Sequence, residues 1–105
     1  MNYKVVISEN VKQSILDSIR FLAKVNKNTA KKELDLIFDQ IRTLEEFPLR
    51  HQVIENLVIL GKQVHKFVLP KGRYIVLYTI DQSTANVIKF LDSRKENKLI
   101  ADLLE

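Results

Sequence analysis

Apolar residues recur with a helical period along the first half of the chain, after one short apolar run. That run, Tyr3–Ile7, predicts a first strand. Ser8 follows it and is suited to cap a helix, because its hydroxyl accepts a hydrogen bond from an amide of the first turn. The apolar residues of that helix share one face: Ile15, Leu16, Ile19, Leu22 and Ala23.

A second amphipathic helix is predicted after the polar break Asn26–Asn28, with Thr29 as its N-cap. Its apolar residues are spaced alternately by four and three positions: Ala30, Leu34, Ile37, Ile41 and Leu44. Pro48 ends this region, because a proline pushes the preceding residue, here Phe47, out of the helical basin. Two helices joined by so few residues predict an antiparallel helical hairpin.

The segment from Arg50 to Gln63 has the weakest pattern. Arg50–Glu55 fits a helical turn, and Leu57–Leu60 fits a short extended piece before Gly61. Beyond it, three runs rich in β-branched and aromatic residues alternate with turn residues, and this predicts antiparallel strands. The three strands are Val64–Leu69, Arg73–Ile80 and Ala85–Leu91, with turns at Pro70–Gly72 and Asp81–Thr84.

The last segment begins with Ser93 and Glu96, which have the spacing of a capping box and predict a final helix. The apolar face of that helix is Leu99, Ile100, Leu103 and Leu104. The element order β-α-α-β-β-β-α predicts one α+β domain over residues 1–105, with the helical hairpin on one face of an antiparallel sheet. The other face of the sheet is then partly open, and we expect a functional site there.

The net positive charge of the chain indicates which class of partner it binds. The formal net charge is +4 and the isoelectric point is about 9.4, which favours an anionic partner. Asn56–Ile80 contains four Lys or Arg residues and no acidic residue. A basic strand region with tyrosines is typical of surfaces that contact phosphates.

Composition excludes several kinds of site. The chain has no cysteine, so disulfides and thiolate metal sites are excluded, and two histidines alone do not make a zinc site. Two glycines are too few for a glycine-rich phosphate loop. The N-terminus lacks the apolar run of a signal peptide, and no segment is long and apolar enough to span a bilayer. These features predict a cytoplasmic protein.

The order of elements and several local markers together resemble the RelE/ParE superfamily of type II toxins. The markers are Leu44 with Phe47-Pro48, the strand pair around Lys66 and Tyr78, and the strand-to-helix corner at Leu91–Arg94. The resemblance extends from Tyr3 to about Leu99. It implies a small toxin, without a metal or other cofactor, that a cognate antitoxin neutralises.

The resemblance implies two alternative activities. RelE-like toxins cleave mRNA in the ribosomal A site, so their partners are the ribosome and mRNA, whereas ParE-like toxins poison DNA gyrase. Three positions depart from the RelE-like pattern: Ile75 stands where those nucleases usually carry arginine, His65 stands where many relatives carry arginine, and Asp92 stands where many relatives carry histidine. Gyrase poisoning therefore stays open, and so does a non-catalytic RNA-binding module.

Metal-free RNA cleavage needs a base for the 2′-hydroxyl, a cation for the phosphorane and an acid for the leaving oxygen. Histidine can take either proton role, and tyrosine can donate a proton or stack on a base. The candidate catalytic residues are His65, Arg73, Tyr78 and Arg94. The candidate nucleic-acid-binding residues are Lys62, Lys66, Lys71 and Lys95.

Each candidate has a purely structural alternative. His65 fits a packed, hydrogen-bonded strand residue, Tyr78 fits a core residue, Arg73 fits a solvated turn, and Arg94 fits an ion pair with a nearby acid. Arg73 and Tyr74 point to opposite faces of a regular strand, so at most one of them faces a given site.

The expected antitoxin is an acidic, partly helical protein that folds as it binds, with apolar anchors in a groove and charge steering the encounter. The candidate antitoxin-binding residues are Leu99, Ile100 and Leu103. The alternative is that these residues only close the core of the toxin itself.

Overall fold

The structure, a computed structural model, describes residues 2–92. The predicted final helix lies outside the described residues, and with it lie the candidates Arg94, Lys95, Leu99, Ile100 and Leu103. The described part contains two α-helices, α1 (Glu9–Val25) and α2 (Lys27–Arg42). Its strands are β1 (Lys4–Ile7), β2 (Val53–Ile59), β3 (Lys62–Val68), β4 (Tyr74–Asp81) and β5 (Thr84–Asp92). Neither of these helices has the length and apolarity that a membrane-spanning helix requires.

The five strands form one sheet in the order β1-β5-β4-β3-β2. The last strand, β5, lies between β4 and β1; it runs antiparallel to β4 and parallel to β1. The pairs β2–β3 and β3–β4 are antiparallel. The predicted α+β class is confirmed, with the addition of a parallel pair at one edge.

The helical hairpin turns at a single residue, Asn26. Its backbone N–H donates to Leu22 O at 2.9 Å at the end of α1, and its side-chain oxygen accepts from Thr29 N at 3.1 Å at the start of α2. The predicted N-cap at Thr29 is therefore wrong: Asn26 is extended, with φ of −155°, and α2 begins immediately after it. The predicted cap of α1 is confirmed, since Ser8 accepts from Val11 N at 3.2 Å.

The segment with the weakest sequence pattern forms a strand, and the helical turn predicted at Arg50–Glu55 is wrong. A 3₁₀ turn occupies Pro48–Arg50 instead, and β2 begins at Val53. The β2–β3 ladder shifts register between Val53 and Val58, where Asn56 has a φ of 64°. This break removes the regular alternation that would have indicated a strand. The extended piece predicted at Leu57–Leu60 is confirmed up to Ile59 as the second half of β2, so four strands follow the hairpin.

The sheet is apolar on both faces. On the hairpin face, which α1 and α2 cover, residues of the strands join residues of both helices in the main core: Val11, Ile15, Ile37, Ile41, Phe67, Val76, Tyr78 and Val87 are among them. The opposite face, here called the second face, has its own buried cluster: Leu57, Val64, Ile75, Leu77 and Leu91. The prediction of a partly open second face is wrong at its centre, where Val64 and Leu77 are fully buried.

Candidate functional site

His65 and Tyr78 lie next to each other on the hairpin face of the sheet. They are partners in the β3–β4 ladder, and their rings are stacked with centroids 5.1 Å apart. Tyr78 is fully buried, and its hydroxyl donates a hydrogen bond to the backbone carbonyl of Pro48. Burial raises the pKa of Tyr78 far above its ordinary value. The phenol is therefore neutral and acts as a hydrogen-bond donor.

The segment that joins α2 to β2 closes over these rings. The imidazole Nδ1 of His65 lies 2.9 Å from the carbonyl oxygen of His51 and donates to it in the Nδ1–H tautomer. The ring of His51 stacks on Phe67 at 4.0 Å and meets the edge of Tyr78 at 6.2 Å. Only 7% of His65 is exposed as a result. The pair has the chemistry for proton transfer but little access to solvent.

His51 is the remaining member of this aromatic cluster, and one of its ring nitrogens lacks a hydrogen bond within residues 2–92. Its Nε2 is buried without a hydrogen-bond partner among the described residues. Burial lowers the pKa of His51, and the nearby charges of Arg50 and His65 lower it further. The ring is therefore held in its neutral form. No sequence pattern indicates a role for His51, because its environment depends on the path of the loop.

Arg50 fastens the same segment. Its Nη1 donates to the carbonyls of Thr43, Glu46 and Phe47, the first at 3.4 Å and the last at 3.1 Å, and its Nη2 donates to Thr43 Oγ1 at 2.9 Å. Phe47 has a φ of 51°, which is a strained conformation for a bulky residue. The guanidinium spans both sides of that strained residue. Arg50 therefore stabilises the backbone conformation of this segment, and no motif in the sequence indicates this role.

Lys62 and Lys66 lie on the second face, away from His65. Lys66 is the ladder partner of Leu77, a residue of the second-face cluster, whereas the adjacent His65 is the partner of Tyr78. Lys62 is two strand periods from Lys66 and therefore shares its face. Its Nζ lies 3.4 Å from Asp81. The structure therefore separates these lysines from the histidine by the thickness of the sheet.

Lys71 and Arg73 lie in the turn between β3 and β4, and both are exposed. Lys71 and Gly72 have φ values of 73° and 68°, and the turn is closed by a bond from Gly72 N to Leu69 O at 3.0 Å. Burial and the Glu33 carboxylate raise the pKa of Tyr74, and Arg73 opposes them. This turn is the most accessible cationic part of the predicted set.

The described candidates therefore occupy three places. His65 and Tyr78 are on the hairpin face, Lys62 and Lys66 are on the second face, and Lys71 and Arg73 are in the β3–β4 turn. The structure does not bring these six residues to one surface, and their roles in catalysis or binding stay predictions. Within residues 2–92 there is no group of three or more His, Asp or Glu residues that is placed to hold a metal ion.

Comparison with known proteins gives a match by structure alone. No model of a known protein family and no curated protein matches the sequence. The fold is similar to that of a chain from the chromosomal ParDE TA system of P. aeruginosa, with a TM-score of 0.65 and 13% sequence identity. The similarity covers 86% of this chain and 95% of that chain. At this identity the match establishes a shared fold, and it agrees with the architecture that the sequence resemblance implies.

Proposed function

We propose that this protein is the toxin of a type II toxin–antitoxin pair and that it acts in the cytoplasm. The supporting observation is that its fold matches a chain of the ParDE TA system over nearly the full length of both chains. The sequence resemblance to RelE/ParE toxins was based on different features, namely the element order and the local markers. The net charge of +4 fits an acidic antitoxin as the cognate partner.

The activity that we propose is cleavage of ribosome-bound mRNA without a metal ion. His65 supplies the proton transfer, and the exposed guanidinium of Arg73, which lies apart from it in the β3–β4 turn, contacts a phosphate further along the RNA. Tyr78 stacks on His65 and sets the position of its ring, since its own hydroxyl is engaged by Pro48. Because His65 is only 7% exposed, its contact with RNA requires the segment around His51 to move.

Poisoning of DNA gyrase is the second candidate activity. The observation that favours it is the burial of the only histidine–tyrosine pair among the described strands. A gyrase poison needs no accessible general base, so a closed His65 is compatible with that activity. The two activities predict different consequences for the same substitution.

The test is induced expression of the chain with and without the product of the adjacent reading frame. For a ribosome-dependent nuclease, growth stops and primer extension shows cuts in translated mRNA. His65→Ala and Arg73→Ala abolish the cuts, whereas Lys12→Ala, an exposed change on α1, leaves them in place. The neighbouring product restores growth if it is the antitoxin.

The alternatives give distinct results in the same experiment. Arrested growth with intact mRNA excludes the nuclease, and inhibited supercoiling by purified protein then identifies gyrase as the target. Harmless expression together with salt-dependent RNA affinity identifies a binding module and contradicts the toxin assignment. The proposed antitoxin contacts are tested with Leu103→Asp, for which we expect arrest that the neighbouring product no longer relieves.

A further inference from the structure

The tip of the helical hairpin, Phe21–Lys32, has an uncompensated positive charge. It carries Lys24, Lys27, Lys31 and Lys32, and the chain has no acidic residue between Asp17 and Glu33. All four lysines are exposed. Arg20, just before the tip, pairs with Asp17 at 3.4 Å, but none of the four lysines has an ion pair within residues 2–92. The tip is therefore a concentrated cationic surface.

Two large apolar side chains stand exposed on the same tip. Phe21 is 75% exposed and Val25 is 73% exposed, and because they are four residues apart they share one face of α1. The core-facing positions of α1 are different ones: Val11, Ile15 and Ile19 are buried. Phe21 and Val25 are therefore not part of the main core, and the exposed ring of Phe21 belongs to the same segment as the four lysines.

Two of the four lysines work against the stability of the hairpin, whereas Lys24, in the last turn of α1, is at the favourable end of its helix. Lys27 lies in the first turn of α2, at the positive end of the helix dipole, and that turn has no acidic residue. Lys27 and Lys31 are like charges four residues apart, which also disfavours the helix. The start of α1 differs, because Glu9 in its first turn interacts favourably with the helix dipole. Folding alone does not account for Lys27 and Lys31, and such local conflicts are typical of binding surfaces.

We propose that the hairpin tip binds a single-stranded nucleic acid. The lysines contact phosphates, and the ring of Phe21 stacks on an unpaired base, which is the usual combination in sequence-tolerant single-strand binding. A membrane is a poorer fit, because stable attachment needs a continuous apolar helix face and that of α1 is used by the core. This binding is an additional function, since it requires neither mRNA cleavage nor gyrase inhibition.

The test uses the purified full chain and fluorescent 12-mers of mixed-sequence RNA and DNA, with affinity measured at several salt concentrations. The double variant Lys27→Gln/Lys31→Gln should bind more weakly, and the slope of log affinity against log salt should fall by about 1.4. Phe21→Ala should lose about 5- to 150-fold in affinity with an unchanged slope. The control is Lys4→Gln/Lys12→Gln, which removes the same charge from exposed positions outside the tip.

Binding at the tip differs measurably from general charge attraction and from membrane attachment. A loss of affinity in the tip variants with little loss in the control variant supports the proposal. The 12-mer that binds more tightly, RNA or DNA, identifies the class of nucleic acid that the tip binds. Equal losses in both double variants, equal affinity for polyglutamate, or binding to phosphatidylserine vesicles without binding to either strand would overturn it. Growth arrest is measured separately, so a non-toxic chain whose tip binds RNA contradicts only the toxin assignment. Growth arrest without binding of RNA or DNA contradicts only the proposal that the tip binds nucleic acid.

Discussion

The hydroxyl of Tyr78 donates a hydrogen bond to the backbone carbonyl of Pro48, thirty residues earlier in the chain. Tyr78 is at the centre of the sheet, and Pro48 lies in the segment that leads from α2 to β2. Both residues are fully buried. This bond therefore holds the buried side of the loop against the sheet. The Arg50 guanidinium stabilises the exposed side of the loop through its bonds to Phe47 and Thr43.

Tyr78→Phe is expected to lower the free energy of unfolding by about 1–3 kcal/mol, because it leaves the buried carbonyl of Pro48 without a donor. Urea unfolding followed by circular dichroism measures the change. Tyr3→Phe is the control: its phenol has no hydrogen bond within the described chain, so the change should stay within about 0.5 kcal/mol. Equal stability of wild type and Tyr78→Phe would show that the bond contributes nothing.

The sequence predicted those elements whose period is regular. The two helices have a regular apolar period, the strands β1, β3, β4 and β5 are rich in β-branched and aromatic residues, and the structure confirms them. Of strand β2 only the second half was predicted, as the extended piece Leu57–Leu60, because the polar residues Glu55 and Asn56 interrupt the apolar run. The parallel pairing of β1 with β5 joins opposite ends of the chain, and no local pattern encodes a contact of that range.

The site was harder to predict than the fold. Strand alternation alone puts His65 and Lys66 on opposite faces, so their separation follows from the sequence once β3 is assigned. Which face the hairpin covers does not follow from it. The roles of Arg50 and His51 depend on the path of the loop from Thr43 to Gln52, and irregular backbone has no period from which that path could be predicted.

The free energy of unfolding is expected to decrease as the pH is lowered below 6.5, the ordinary pKa of histidine. The reason is that burial and the Arg50 charge lower the pKa of His51 in the folded state. In that range the unfolded chain binds a proton that the folded chain does not, so unfolding is favoured as pH falls. Above about pH 7.5 neither state binds the proton, and this contribution is constant.

His51→Phe keeps a ring to stack on Phe67 and removes the titrating group. We expect the unfolding free energy of the variant to depend less steeply on pH between about pH 5 and 7 than that of the wild type. Urea unfolding at several pH values measures both curves. Parallel curves would mean that His51 is not the group responsible.

Leu77→Ala is expected to lower the free energy of unfolding by about 2–5 kcal/mol, because Leu77 is fully buried in the second-face cluster. Leu60→Ala makes the same chemical change at a residue that is 94% exposed, and should stay within about 0.5 kcal/mol. Thermal unfolding by calorimetry compares the two. A mild effect at Leu77 would indicate that the second face is not a true core.

Asn26→Ala is expected to lower the free energy of unfolding by about 1 kcal/mol, because the amide of Thr29 loses the side-chain oxygen that accepts its hydrogen bond. Asn28→Ala is the matched control two positions later, inside α2, where alanine is the better helix former and stability should not fall. Urea midpoints of the two variants measure the difference. If Asn28→Ala is the more damaging change, the cap is not at Asn26 and the hairpin turns elsewhere. Asn26→Asp, which retains an acceptor oxygen, should recover most of the lost stability, and this recovery distinguishes the cap from a general effect of shortening the side chain.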